Sequence, residues 1–191
     1  MNALVKAACF AAALAAMSGT ALAASLAVGK KLEVNVDPKA MDTERKALWE
    51  KFGGWCAIKD WHPAIAKCEE SKDGDATFRT LTLKDGGVIK EKLLERTDSL
   101  YKYAIIESPL PVKNYEAQFT LTPDDDDLDE VNFAWSATFD ANGKPDKEAR
   151  GVIEGIFKAG LDNIKVLTAK TGAKDDDDEK PAGEGGEDGD K

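Results

Sequence analysis

Six short segments, 67–72, 77–84, 88–97, 100–107, 115–122 and 131–139, are strand candidates lying between turn signals, with apolar and polar residues alternating most plainly in 115–122 and 131–139. A two-residue period places alternate side chains on opposite faces, so each segment reads as a strand with one buried face. Turn signals such as Asp73-Gly74, Asp85-Gly86-Gly87 and Pro109-Leu110-Pro111 separate them. Short turns between consecutive strands give an antiparallel meander. The period then changes. Pro145-Asp146-Lys147-Glu148 opens a long helix in which Ile153, Ile156, Phe157, Gly160, Leu161, Ile164 and Leu167 share one face. Upstream lie a strand at 32–36, a helix from Asp42 to Phe52 ending at Gly53-Gly54, and a second short helix predicted around 63–66. The expected class is α+β: about seven antiparallel strands in a curved sheet wrapped on a long C-terminal helix, with two short helices after the first strand.

The ends of the chain read differently from its middle. Residues 1–23 carry one cation, Lys6, an apolar stretch and the small-residue ending Ala21-Leu22-Ala23, the pattern of a cleaved secretory signal peptide. The apolar run is too short for a membrane anchor. Cleavage would remove Cys9 and leave Cys56 and Cys68, which in an oxidising compartment read as one disulfide. The competing reading is a cysteine nucleophile or metal site, with His62 lying between the two in sequence. The expected location is therefore periplasmic or secreted. Residues 24–170 form the expected folded domain. Residues 171–191 are rich in Asp, Glu and Gly with no large apolar side chain, and are expected to be a disordered acidic tail.

Charge and composition exclude several functions. With 36 acidic against 26 basic residues and a net charge of −10, the chain is no candidate for nucleic acid or anionic membrane surfaces. A single histidine excludes multi-histidine metal centres. No Gly-rich phosphate loop, nucleophile elbow or zinc spacing is present, so no cofactor is expected and no motif demands an enzyme.

The order and spacing of Leu48-Trp49…Phe52-Gly53-Gly54-Trp55, Trp61-His62-Pro63-Ala64-Ile65…Cys68, Thr77-Phe78-Arg79-Thr80-Leu81 and Glu91-Lys92-Leu93-Leu94-Glu95…Asp98 carry a resemblance. Tyr103-Ala104-Ile105 and Ser108-Pro109-Leu110-Pro111-Val112…Asn114-Tyr115 complete it. The chain resembles the helix-grip fold of the START and SRPBCC superfamily, the polyketide-cyclase/dehydrase and lipid-transport group, from about Leu32 to Lys170. That fold hosts carriers, receptors, cyclases and chaperone-like proteins. The abscisic-acid receptors of the same superfamily imply cavity positions at His62, where they have a lysine, at Glu91 and at Tyr115. They imply a gate loop at 84–87 and a latch at 108–112. The chain departs from them in having His62 for the lysine and Trp135 for a glutamate, so their ligand and partner are not implied. A secreted bacterial branch, with accessory proteins of periplasmic methanol oxidation, is similar in layout.

The candidate ligand-binding residues are Trp61, His62, Glu91, Tyr103, Tyr115, Phe133, Trp135, Phe157 and Leu161. Phe133, Trp135, Ala137 and Phe139 share one face of the last strand. Their rings either line a pocket for an apolar or amphipathic ligand or fill the core. His62 either titrates in the cavity or is bonded to backbone at a helix start. The run Asp124-Asp125-Asp126-Asp127-Leu128-Asp129-Glu130 offers oxygens to Ca2+ without an EF-hand spacing, or is a solvated turn. Three functions follow. The first is a secreted carrier or accessory protein for a small apolar or amphipathic molecule. The second is an interaction protein docking a basic periplasmic partner, such as a cytochrome or dehydrogenase, through its acidic loop and tail. The third is a cyclase or dehydratase using His62 and Glu91.

Overall fold

The structure is a computed structural model that describes residues 25–172. The expected signal peptide, and the acidic tail from residue 173 onward, lie outside the described residues. The order is β1 (Leu26–Asn35), α1 (Met41–Phe52), α2 (Ile58–Trp61), β2 (Ile65–Asp73), β3 (Ala76–Leu83), β4 (Val88–Arg96), β5 (Leu100–Glu107), β6 (Val112–Pro123), β7 (Glu130–Ala141) and α3 (Asp146–Gly172). One antiparallel sheet runs β1-β7-β6-β5-β4-β3-β2. The meander β2 to β7 is thus built from sequential hairpins, and β1 closes it by pairing with β7. Register shifts within β2, β4, β5 and β6 relative to their partners insert extra residues, which bend strands and curve the sheet.

Each expected strand forms, with β1 starting earlier than the reading from Leu32. Leu26 and Val28 are buried at the same parity as Leu32 and Val34, and Arg150 of α3 donates to the Ala27 carbonyl. The second helix is a correction. It occupies Ile58–Trp61, and 63–66 is instead the entry to β2. The residue preceding a proline is pushed out of the helical region. Accordingly His62 is extended (φ −88°, ψ 119°) and ends the helix one turn earlier than expected.

The core lies between the inner sheet face and α3. Ile153, Phe157, Leu161 and Ile164 form the buried stripe of α3, spaced as a helix facing a sheet requires. They share one core with the rings of β5, β6 and β7, namely Tyr103, Phe119, Phe133, Trp135 and Phe139, and Phe157 stacks on Trp135. At Gly160 α3 passes close against the Trp61 and His62 rings. A Cβ there would stand 2.8 Å from both the His62 and Trp61 rings and 3.0 Å from the Trp135 ring. The helix carries glycine because three rings need that space. Asn163 reinforces the contact by donating to the Trp61 carbonyl at 2.7 Å.

Cys56 and Cys68 are joined in a disulfide, with Cα atoms 5.5 Å apart. The bridge ties the α1–α2 connection to β2, a sheet-edge strand. A loop of this size contributes about 3 kcal/mol by restricting the unfolded chain.

Candidate functional site

Between the sheet and α3 lies a cavity of about 80 Å3. Ile58 and His62 reach it from the α2 segment, Leu81 and Leu83 from β3, Ile89 and Glu91 from β4, and Tyr103 and Ile105 from β5. Leu110, Tyr115 and Trp135 close the sheet side, and Ile153 and Ile156 close the helix side. The half-buried Leu83, Ile105, Leu110 and Ile156 mark its mouth. That volume is well below the ~300 Å3 of a drug-sized site. A larger depression, about 410 Å3, lies on the outer sheet face over Lys102, Glu116, Ser136 and Thr138, away from the buried polar groups.

The rings explain the small volume. Trp135 stacks on Phe157 with centroids 4.4 Å apart. Its edge meets Trp61 at 5.6 Å and His62 at 6.0 Å. Of the expected ligand-binding residues, His62, Glu91, Tyr103, Tyr115 and Trp135 come together on the cavity. Trp61, Phe133, Phe157 and Leu161 do not line it and sit in the packed core beside it. Trp61 stacks on Phe119 and donates its indole N–H to the Phe52 carbonyl at 3.0 Å. Phe133 packs edge-on against Phe52.

His62 is committed to backbone. The Ala64 N–H donates to Nδ1 at 3.2 Å, which fixes that nitrogen as the acceptor. Nε2 therefore carries the proton and donates to the Ile156 carbonyl at 3.1 Å. Burial lowers its pKa below the ordinary value, the Ile156 bond opposes this, and the charges of Arg79 and Lys84 lower it further. Neither ring nitrogen is free for a ligand or a proton transfer. A histidine depressed in the fold makes the unfolded chain bind more protons, so its contribution is lost as pH falls through the unfolded pKa near 6.5. Wild type should therefore lose stability between about pH 7 and 5 more steeply than His62→Gln, whose amide keeps one donor and one acceptor. Urea denaturation across that range checks this, and parallel curves would refute it.

The feature that sequence reading passed over is Arg79, which is completely buried. It sits directly across from Glu91 in the β3–β4 register. Its Nε donates to Glu91 Oε2 at 2.5 Å, and Nη1 donates to the Trp55 carbonyl at 2.5 Å. The guanidinium lies 3.9 Å over the Trp55 ring, with Tyr103 and Tyr101 also facing it. Burial pushes the Glu91 carboxyl up, and Arg79 opposes that. Among the described residues no hydrogen bond engages Glu91 Oε1. Tyr103 accepts from Trp135 Nε1 at 2.9 Å and its ring lies 6.1 Å from that of Tyr115, and burial raises both phenols well above their ordinary range. Both remain neutral hydroxyls.

A curved antiparallel sheet gripping one long helix around a small cavity with a few convergent polar groups defines a helix-grip protein. Residues 41–167 match the family described as polyketide cyclase / dehydrase and lipid transport, and the chain belongs to that family. The protein XoxI from Bacillus cereus is 25% identical, with a TM-score of 0.66 over 76% of this chain and 96% of that one. The ZhuI aromatase/cyclase from Streptomyces sp. R1128 shares the fold at 14% identity, with a TM-score of 0.57 over 77% of this chain and 95% of that one. Norcoclaurine synthase from Thalictrum flavum, solved with dopamine and hydroxybenzaldehyde, does so at 20% identity, with a TM-score of 0.53 over 79% and 90%. No curated protein matches the chain significantly. No helix among the described residues is long and apolar enough to cross a membrane.

Proposed function

We propose that this chain is a secreted binding protein for a small molecule with an apolar body and one hydrogen-bond donor, acting as a carrier or accessory factor. The observation that carries the reading is the apolar cavity lined by Glu91, whose Oε1 no hydrogen bond among the described residues engages. The buried Arg79 orients the carboxylate, and a ligand hydroxyl or amine would meet it as donor. An anionic ligand is disfavoured, because His62 spends both nitrogens on backbone and has no charge to offer. The same commitment removes His62 from the cyclase or dehydratase reading and leaves it Glu91 alone. Secretion is supported by the N-terminal pattern of 1–23 and by the pairing of Cys56 with Cys68.

The cavity is about half the ~150 Å3 that holds benzene in an engineered core, so entry requires its half-buried rim of Leu83, Leu110 and Ile156 to move. Phenol is the test ligand, with toluene as the control that lacks the donor. Phenol is expected to shift the NMR signals of Tyr103, Ile105 and Ile156 saturably and to bind more tightly than toluene. Equal binding of the two would remove Glu91 from recognition. No binding of either, with native mass spectrometry of protein from its own source showing an empty chain, would overturn the reading. Docking to a basic protein through the acidic loop and tail would then be the reading to pursue, by salt-sensitive capture.

A further inference from the structure

We propose that the outer face of the sheet, at the end opposite the cavity mouth, holds a Ca2+ ion between Glu33, Asp124, Glu130 and Asn132. Glu33 and Asn132 are direct cross-strand partners on β1 and β7, and Glu130 lies two residues from Asn132 on the same face. The β6–β7 loop brings Asp124 over them. Carboxylate oxygens of Glu33, Asp124 and Glu130 all lie within 4.8 Å of one another.

Acidic side chains collect at many exposed turns, and Asn132 is what distinguishes this one. It is only 7% exposed, its Nδ2 donates to Asp124 Oδ2 at 2.5 Å, and its Oδ1 is buried with no partner. An unpaired buried amide oxygen, on a side chain already bonded to Asp124, is destabilising as it stands and becomes a ligand once the amide turns towards a hard cation. With Asp124 Oδ1 held by backbone, the other carboxylate oxygens and this amide offer about six oxygens, within the coordination range of Ca2+. The loop is already folded around the first ligand: Asp124 Oδ1 accepts the backbone N–H groups of Asp126 and Asp127 at 2.9 and 3.2 Å. An ammonium already stands at the edge of the cluster. Lys31 Nζ lies 3.1 Å from Asp124 Oδ2 and 3.3 Å from Glu33 Oε1, on a half-exposed side chain that can swing away. Lys31 is thus a tethered competitor for the cation. An ion bound here would pin the β6–β7 loop to β1.

The test titrates the full chain with calcium chloride at low ionic strength, by calorimetry and by the NMR signal of the Asn132 side-chain amide. The expected result is one saturable site of Kd roughly 0.1–1 mM, the range of extracellular calcium modules, with Mg2+ at least about tenfold weaker because it demands tighter octahedral geometry. The Asn132 amide signal should move with the same Kd in the wild-type chain, a readout that needs no variant. Asp124→Asn should weaken binding at least about tenfold, and Lys31→Met should strengthen it by releasing the competitor. Three results would overturn the proposal: no saturable binding, binding that leaves the Asn132 amide and the Asp124→Asn titration unchanged, or equal uptake of Mg2+. The second would place the ions on the acidic residues beyond 172, and the third would leave only a diffuse ion atmosphere.

Discussion

Arg79→Met is expected to lower folding stability by about 3–5 kcal/mol, the cost of stranding one partner of a buried ion pair. The variant leaves Glu91 buried without its counter-charge and the Trp55 carbonyl without its donor. The companion Arg79→Met/Glu91→Leu should recover most of that loss, because two apolar side chains of similar volume replace both charges. It should not recover all of it, since the orphaned Trp55 carbonyl still costs about 1 kcal/mol or more. The pH dependence has a definite sign. Burial already raises Glu91, and losing Arg79 raises it further. A carboxyl whose folded pKa exceeds its unfolded one contributes stability below the unfolded value, near 4.3, and loses it as pH rises through the folded pKa. The deficit of the single variant should therefore shrink towards acid pH, while that of the double variant stays flat. Urea midpoints at neutral and acid pH decide it. A double variant no more stable than the single would show that the guanidinium acts through its stacking on Trp55 instead.

Arg79 also shows where the sequence was legible and where it was not. The strand containing it is marked off by the turn signals on either side, yet nothing in the motif around Arg79 assigns that residue a role. The signal was present: Arg79 has the parity of the buried Leu81, and Glu91 that of the buried Ile89. Two opposite charges at the buried parity of neighbouring strands are an ion pair if the register aligns them. Register depends on turn geometry, here that of the Asp85-Gly86-Gly87 turn joining β3 to β4, and that does not show in composition. For His62 the sequence leaves the cavity role and the backbone-bonded role both open, for a related reason. Its backbone partners are its near neighbour Ala64 and the remote Ile156, and only tertiary packing brings the second within reach. The long helix and the ring-bearing face of β7 were legible because a period of 3.6 or 2 needs no partner to be recognised. Whether those rings line a space or fill it depends on volumes, which periodicity does not carry.

That distinction becomes measurable at Trp135. Trp135→Ala deletes the ring stacked on Phe157 and removes the donor that Tyr103 accepts. A large aromatic lost from a core costs about 3–5 kcal/mol, with the upper end expected where neighbours collapse least. Collapse is restricted here, because Trp61, Phe119 and Phe157 are each held by other packed rings or by α3. The space released joins the cavity of about 80 Å3 that Trp135 already borders, and the combined volume should exceed the ~150 Å3 sufficient for benzene. Indole, which restores the deleted group, should raise the melting temperature of the variant in a concentration-dependent way, since a ligand binding only the folded state stabilises it by mass action. Wild type should show no such shift, because its own indole fills the site. A wild type stabilised equally by indole would mean that the Trp135–Phe157 stack opens readily and that the native ligand is much larger than phenol. If indole binds only the variant and wild type takes up neither phenol nor a molecule from its own source, the grip is filled by its own rings. Function would then have to reside on the outer surface, where the acidic loop is the strongest feature.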